Sequence, residues 1–215
     1  MTDHQRNASI RLDAVTKVYG RYTALAESSF EVASGEIVAL CGASGSGKST
    51  AIALASLLVP PTSGEVDLLG TGWSGSTAGE RRRLIARSVG MIFQEVNLVN
   101  HLSVGGNLTL VDDSVDPETV ELMLDELGVA SQRDKLPGRL SRGQRQRVGV
   151  ARALGKHPRV VFADEPTASV DADSAHTITR MLRKVADSGA AVLLATHDRH
   201  AREIADRVIE LGSDR

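Results

Sequence analysis

The chain has 215 residues, of which 41% are hydrophobic, and a formal net charge of −2. This length is sufficient for one substantial hydrophobic core. The slightly acidic balance excludes a dominant electrostatic attraction to nucleic acid, so nucleic acid is not an expected partner.

The compartment is predicted from what the sequence lacks. The single cysteine, Cys41, cannot form an internal disulfide, which favours a reducing environment. The polar start MTDHQRN leads into no apolar run, so no secretory signal is expected. The longest apolar runs, 37–41 and 190–195, are far shorter than the roughly 20 residues of a transmembrane helix. We therefore expect a cytoplasmic protein that meets a membrane only through another chain.

The first predicted elements are antiparallel strands. Ile10, Leu12 and Ala14 alternate with polar residues, and Phe30 and Val32 follow before a turn. Alternation of this kind is typical of strands with one buried face. The sequence predicts a small antiparallel β-layer here.

Buried strands and helices follow the β-layer. Residues 37–41 (IVALC) are apolar without alternation, and a helix is predicted over 48–58 until Pro60-Pro61 ends it. The runs 160–163 and 191–194 are similar, each followed by a predicted helix. Repeated βα units predict an α/β fold around a mostly parallel sheet.

A helical insertion is predicted at about residues 95–155. Asp116 is suited to cap a helix with Pro117 in its first turn, and apolar residues follow at helical spacing. The remaining parts, about 8–94 and 156–215, are expected to form the core of a single domain.

The stretch GASGSGKST lies between a predicted buried strand and a predicted helix. Its spacing, G-x-x-x-x-G-K-[ST], is typical of a loop that binds nucleotide phosphates through backbone N–H groups and the positive end of the helix. Lys48 is expected to contact the β- and γ-phosphates, and the Ser49 hydroxyl to ligate Mg²⁺. The predicted phosphate-site residues are Gly42, Ala43, Ser44, Gly45, Ser46, Gly47, Lys48, Ser49 and Thr50.

Two adjacent acids, Asp164 and Glu165, end a second buried strand. A solvated strand end is the usual meaning of such a pair, but a phosphate loop in the same chain favours a functional one. We predict that Asp164 binds or orients Mg²⁺ and that Glu165 polarises an attacking water as a general base.

His197 follows the predicted strand 191–194 closely. A lone histidine is more often structural than catalytic. The carboxyl edge of an α/β sheet is, however, where ligands bind, so we predict that His197 donates a hydrogen bond to the γ-phosphate.

Several ordered motifs resemble those of the ATP-binding-cassette (ABC) ATPases. Residues 140–144 (LSRGQ), ahead of the acidic strand end, resemble the family's LSGGQ signature. Gln94 in MIFQ resembles its glutamine loop, residues 168–171 (ASVD) its D-loop, and His197 its switch histidine. Tyr19 in VYG matches the aromatic residue that stacks on adenine.

The resemblance implies a P-loop NTPase core with a small antiparallel β-subdomain and a helical subdomain insertion. It also implies ATP hydrolysis by two cassettes, a second copy or a related one, that hold two ATP molecules between them. Ser141, Gly143 and Gln144 would then contact the partner's nucleotide, and Asp171 would belong to the nucleotide site. Gln94 would take part in catalysis and Mg²⁺ binding, so the implied ligands are ATP and Mg²⁺.

Two departures from the family pattern stand out. Arg142 replaces the first glycine of the signature, and we expect an ordinary backbone conformation there with the side chain pointing outward. Gly105 and Gly106 replace a usual leucine and glutamate, and residues 108–116 look abbreviated. These changes lie in the helical insertion, which in transporters of this family receives the membrane subunit.

The leading hypothesis is an ATP-hydrolysing subunit that drives a separate transmembrane permease. An exporter is one option, and import and export both stay open. The compact cassettes of lipoprotein-release and macrolide-efflux systems look most similar. The alternative is an ATPase subunit of a membrane complex that transports nothing and signals to cell-envelope or division machinery. A DNA-repair or translation ATPase is disfavoured because those carry long insertions.

Overall fold

The computed structural model describes residues 8–110, 117–168, 170–198 and 202–212. Within these residues the strands are β1 (Ala8–Tyr19), β2 (Tyr22–Ala33), β3 (Ile37–Cys41), β4 (Ser63–Leu68), β5 (Thr71–Gly72), β6 (Val89–Ile92), β7 (Val160–Asp164), β8 (Ala191–Ala195) and β9 (Arg207–Glu210). The helices are α1 (Lys48–Ala55), α2 (Ala78–Ser88), α3 (Val104–Thr109), α4 (Pro117–Glu126), α5 (Arg142–Leu154) and α6 (Ala172–Asp187). A search of the described helices finds no membrane-spanning candidate. The predicted polar start at 1–7, the predicted cap Asp116 and the D-loop residue Ser169 lie outside the described residues.

The predicted β-layer is an antiparallel sheet with strand order β2-β1-β4-β5. Ile10 and Leu12 are buried on its inner face, as their alternation predicts. The alternation shifts at Ala14, which has a φ of 48° at an irregularity in the pairing, and Val15 is the next buried residue. A left-handed residue within a paired strand is a bulge, which bends the strand over its neighbours.

The second sheet has the order β6-β7-β8-β3-β9, and its strand pairs are parallel. Every residue of β3 and β8 is buried, which explains why their sequences are apolar without alternation. In the register, Ala195 pairs with both Leu40 and Asp164, so the carboxyl ends of these three strands meet at one edge. The predicted α/β fold with a mostly parallel sheet is confirmed.

The first helix is shorter than predicted. It ends at Ala55, because Leu57 has a φ of 57°, outside the right-handed helical region. The amides of Leu58 and Val59 both donate to the Ala53 carbonyl instead of continuing the helix. The predicted end at Leu58 is therefore wrong, since the chain turns before it reaches the prolines.

Three helices, α3 to α5, occupy the region predicted to be helical, and α4 ends near Gly128, which has a φ of 64°. Leu124 and Leu127 are fully buried in the cluster that these helices share with the parallel sheet. Gly105 and Gly106 form part of α3, and a Cβ at either would meet no atom closer than 3.4 Å. Glycine is thus not required there by the backbone or by packing.

Candidate functional site

The glycine-rich loop joins β3 to α1, as its sequence predicts. Gly42 has a φ of 144°, and a Cβ there would lie 2.6 Å from both Leu211 O and Ser46 Oγ. Gly47 has a φ of 93°, and a Cβ there would lie 2.6 Å from Ala24 O. Only glycine fits these two positions, so the loop can turn tightly and present its N–H groups before the helix begins.

Lys48 is the first residue of α1, and its side chain folds back over the loop. Its Nζ donates to the carbonyl oxygens of Gly42 at 2.7 Å and Ala43 at 3.0 Å. Both bonds hold the ammonium group over the glycine-rich loop. This arrangement suits a group that contacts terminal phosphates as a point charge.

A cavity of about 470 Å³ lies against this loop. It brings Lys48 together with Gln94, Glu165 and His197, which come from different parts of the sequence. The predicted site residues that line it are Gly42, Ser44, Gly45, Gly47, Lys48, Ser49, Thr50, Gln94, Glu165 and His197. Of the predicted loop residues, Ala43 and Ser46 are not among the lining residues, and the buried Ser46 hydroxyl has no hydrogen-bond partner within the described part of the chain.

The cavity wall contains Tyr22 rather than Tyr19. The two tyrosines are paired across the β1–β2 hairpin, and both side chains are exposed. The Tyr19 ring contacts the Lys17 ammonium, which lies 4.8 Å from the ring centroid. Tyr22 and its neighbour Ala24 are site residues that sequence reasoning missed. The available signal was alternation along β2, which places Tyr22 and Ala24 on the same side of the strand.

Asp164 and Ser49 are hydrogen-bonded to each other beside the cavity. Burial raises the pKa of the Asp164 carboxyl, while a hydrogen bond from Ser49 and the charge of Lys48 act in the opposite direction. Carboxylate, hydroxyl and amide oxygens are the donors that Mg²⁺ prefers. With Gln94 in the cavity wall, the donor set fits this cation.

Glu165 has an unusual backbone for a residue with a side chain. Its φ is 46°, and its N–H donates to Ala195 O at 2.9 Å. A left-handed conformation outside glycine costs on the order of 1–3 kcal/mol and is concentrated at functional sites. This conformation turns the chain at the end of β7. Glu165 Oε1 lies 2.7 Å from His197 Nδ1, with the carboxylate 12% exposed and the imidazole 71% exposed.

A further hydrogen bond joins the loop after β7, which contains Glu165, to the loop after β8, which contains His197. The Thr167 hydroxyl donates to Asp198 Oδ2 at 2.7 Å, and the Asp198 amide donates to the Thr196 hydroxyl at 2.9 Å. Thr167 and Thr196 are both buried. The loop after β7 is thus cross-linked to the loop after β8, and the cross-link holds Glu165 next to His197.

The signature segment forms the start of α5. Ser141 is the N-cap, with Gln144 N donating to Ser141 Oγ at 3.2 Å and Ser141 N donating to Gln144 Oε1 at 2.9 Å. Reciprocal bonds of this kind form a capping box. Arg142 is helical and exposed, as expected for a side chain that points outward.

Gly143 packs tightly against the beginning of α6. A Cβ at Gly143 would lie 2.8 Å from Ser174 Oγ and 3.0 Å from Asp171 Oδ2. Asp171 is the N-cap of α6, and its carboxylate accepts hydrogen bonds from the Ser174 amide and hydroxyl, each at 2.8 Å. These bonds lower the pKa of Asp171. The predicted residues Ser141, Gly143, Gln144 and Asp171 do not line the cavity at the phosphate loop.

Comparison with known proteins gives the family. Residues 25–168, more than half of the chain, match the family model for ABC transporters. The chain belongs to the ABC transporter family. It is an ATP-binding, ATP-hydrolysing subunit of such a transporter, as the resemblance of its ordered motifs to those of the ABC ATPases implies.

Relatives of this ABC chain match it along nearly its full length. It is 36% identical over 226 residues to the lipoprotein-releasing system ATP-binding protein LolD of Bordetella avium, covering 100% of this chain and 98% of LolD. It is 36% identical over 211 residues to the glutamate/aspartate import ATP-binding protein GltL of Escherichia coli, covering 93% of this chain and 86% of GltL. The dimeric post-hydrolysis structure of the cassette MJ0796 with ADP and Pi has a TM-score of 0.86, 30% identity and 94% coverage of both chains.

Proposed function

We propose that the protein hydrolyses ATP as a sandwich of two copies, and that this cycle drives a separate membrane permease of the lipoprotein-release type. The contact between Glu165 and His197 at the phosphate-loop cavity carries the proposal. It supplies a base and a hydrogen-bond donor where the terminal phosphate would lie.

The phosphate loop would hold the ATP phosphates through its N–H groups, and Lys48 would contact the β- and γ-phosphates. Ser49, Asp164 and Gln94 would hold Mg²⁺, which supplies charge neutralisation for the phosphates when bound. The proposed binding set is the loop from Gly42 to Thr50. Ala43 and Ser46 do not line the cavity, and the Ser46 amide donates to Ala43 O at 3.1 Å within the loop.

In the proposed reaction, Glu165 accepts a proton from the attacking water as the water oxygen bonds to the γ-phosphorus. The bond from that phosphorus to the bridging oxygen of ADP breaks, which gives ADP and phosphate. His197 has two ring nitrogens: Nδ1 contacts the Glu165 carboxylate, and Nε2 is the atom that we propose contacts the γ-phosphate. The short contact between the two side chains supports this pairing.

The proposed dimer is based on the predicted nucleotide-site residues that do not line the cavity. Ser141, Gly143 and Gln144 lie at the N-terminus of α5, a helix of 13 residues whose positive end favours an anion. We propose that this end, together with Asp171, meets the ATP of the second copy. The structure of MJ0796 with ADP and Pi is dimeric, which supports the formation of a dimer.

We propose that the chain consists of two parts, one that binds the nucleotide and one that carries the signature. A nucleotide-binding core comprises about 8–94 and 156–215, and a helical signature subdomain comprises about 95–155. The protein would lie on the inner face of the cell membrane through the permease.

The first test is the molar mass in solution of Glu165→Gln, with and without ATP and Mg²⁺. This variant should bind ATP without hydrolysing it and shift from monomer to dimer. Adding Ser141→Arg should abolish the dimer while ATP binding persists, because the signature end of α5 would be blocked. A Glu165→Gln variant with wild-type turnover would remove Glu165 as the base.

The type of permease needs its own test. Reconstituted with its membrane subunit, the protein should release a lipoprotein from vesicles when ATP is added, and Glu165→Gln should not. ATP hydrolysis that the membrane subunit stimulates without any release of lipoprotein would instead favour the non-transporting complex.

A further inference from the structure

Two polar side chains of α5 hold the backbone of the loop that contains Gln94. Gln146 Nε2 donates to Phe93 O at 3.2 Å, and Arg152 Nη1 donates to Asn97 O at 2.8 Å. Gln146 is only 4% exposed, and burial lowers the pKa of Arg152. A buried polar group without a hydrogen-bond partner lowers the stability of the folded state, so breaking either bond is unfavourable.

A third contact between these two bonds is apolar. Val96 lies over Gly149, where an added Cβ would be only 2.7 Å from Val96 Cγ1. Positions 146, 149 and 152 are three residues apart and therefore neighbour one another along one side of the helix. One side of α5 is thus in contact with the segment 93–97 from position 146 to position 152, a little under two helical turns.

The side chain of Gln94 has few contacts of its own that could fix its position. Among the described residues, its side chain makes no hydrogen bond, and the residue is exposed at the cavity wall. The position of its amide is therefore set by the backbone from Phe93 onward. That backbone leaves β6 after Ile92 and is next held by Gln146.

We propose that Gln146 and Arg152 are positioning residues for Gln94, because they hold the backbone of 93–97 against α5. The inference rests on the proposed function for the role of Gln94 in catalysis and Mg²⁺ binding. The same helix has the signature residue Ser141 as its N-cap. In the proposed dimer, α5 thus connects the Gln94 loop at one ATP site to the signature residues that contact the other ATP. Gln146 bonds the residue directly before Gln94 and should have the larger effect.

Gln146→Met removes the donor and keeps an unbranched side chain of similar length. Loss of one hydrogen bond corresponds to a change of about three- to tenfold. We expect kcat to fall, and the Mg²⁺ concentration for half-maximal hydrolysis to rise, by about this factor. Binding of ATP in EDTA should stay within about twofold, because the phosphate loop is untouched.

A double-mutant cycle separates positioning from a general loss of packing. If Gln146 acts through Gln94, then Gln94→Ala and Gln94→Ala/Gln146→Met should have the same rate and Mg²⁺ dependence. The matched control is Arg147→Met, since Arg147 bonds a carbonyl of Leu127, at 2.9 Å, from the same helix but away from the loop. Arg147→Met should lower Tm without a change in half-saturating Mg²⁺. Additive effects of Gln94→Ala and Gln146→Met would overturn the inference.

Hydrogen exchange gives a readout that does not depend on hydrolysis. Gln146→Met and Arg152→Met should each speed exchange of the amides in 93–98, whereas Arg147→Met should not. Arg152→Met also serves if Gln146→Met fails to fold, because Arg152 is only partly buried. Unchanged exchange in 93–98 would overturn the attachment itself. Wild-type activity in Gln94→Ala would instead contradict the proposed role of Gln94, while the exchange result would still test the attachment.

Discussion

Glu165 Oε1 and His197 Nδ1 lie 2.7 Å apart, although 32 positions separate the two residues in the sequence. The strained backbone of Glu165 and the hydrogen bond from Thr167 to Asp198 both act to bring them together. Neighbouring catalytic groups that work as a unit lose most of their effect when either is removed.

The pair should therefore behave non-additively. Glu165→Gln and His197→Ala should each lower single-turnover hydrolysis strongly, and the double variant should be no slower than the slower single one. His176→Ala is the control, because His176 is exposed on α6 and is not among the residues lining the cavity. Multiplicative losses in the double variant would show that the two side chains act independently.

Asp164 should make the folded protein less stable at neutral pH in the absence of Mg²⁺. Burial raises its folded-state pKa above the ordinary value of 3.8, so the folded state binds a proton more tightly than the unfolded chain. The resulting penalty is absent below the unfolded pKa and is complete above the folded one. Asp164→Asn should thus raise Tm at pH 7 in EDTA, and the gain should shrink as the pH falls toward about 4. A gain that does not depend on pH would contradict this origin.

Tyr22 should report nucleotide binding more directly than Tyr19. In a Trp73→Phe background the chain has no other tryptophan, so Tyr22→Trp and Tyr19→Trp each give a single tryptophan that can be excited selectively. A base that stacks on the ring should change the emission of Tyr22→Trp when ATP is added, because Tyr22 lines the cavity. Tyr19→Trp is the matched control from the same hairpin. A change in Tyr19→Trp alone would return the stacking role to Tyr19.

The sequence was most informative where a local pattern decides the structure. The phosphate loop and the strands β3 and β8 could be predicted, because continuous burial and glycine spacing are visible in a short window. The early end of α1 could not, since the turn at Leu57 leaves no mark in the apolar periodicity. Residue types suggested the roles of Glu165 and His197, whereas their direct contact depends on the sheet register.

Contacts between distant segments were the part that sequence reasoning missed. Tyr22 lines the cavity because of the geometry of a tight hairpin. The residue type alone does not reveal which of the two paired tyrosines faces the cavity. Gln146 and Gly149 contact the loop that follows β6. Phe93, whose carbonyl accepts the bond from Gln146, lies more than 50 positions earlier in the sequence. Polar residues along an amphipathic helix look like solvent-exposed positions until the neighbouring segment is known.

The packing of Gly143 on Ser174 predicts a compensating pair of substitutions. Gly143 does not have a left-handed φ, so glycine is needed there for space rather than for conformation. Gly143→Ala should displace the start of α6 or the signature loop, because its Cβ would lie 2.8 Å from Ser174 Oγ. In a Glu165→Gln background this should weaken the ATP-dependent dimer, measured as molar mass against protein concentration.

Removing the obstructing atom should restore part of the loss. In Gly143→Ala/Ser174→Ala the nearest Ser174 atom left is the Cβ, at 3.6 Å, while Asp171 Oδ2 at 3.0 Å keeps the site tight. The double variant should thus dimerise better than Gly143→Ala but less well than the parent. Ser174→Ala alone is the control for the lost hydrogen bond to Asp171. If the double variant is no better, the added methyl group obstructs the partner's nucleotide directly, and the contact with α6 is secondary.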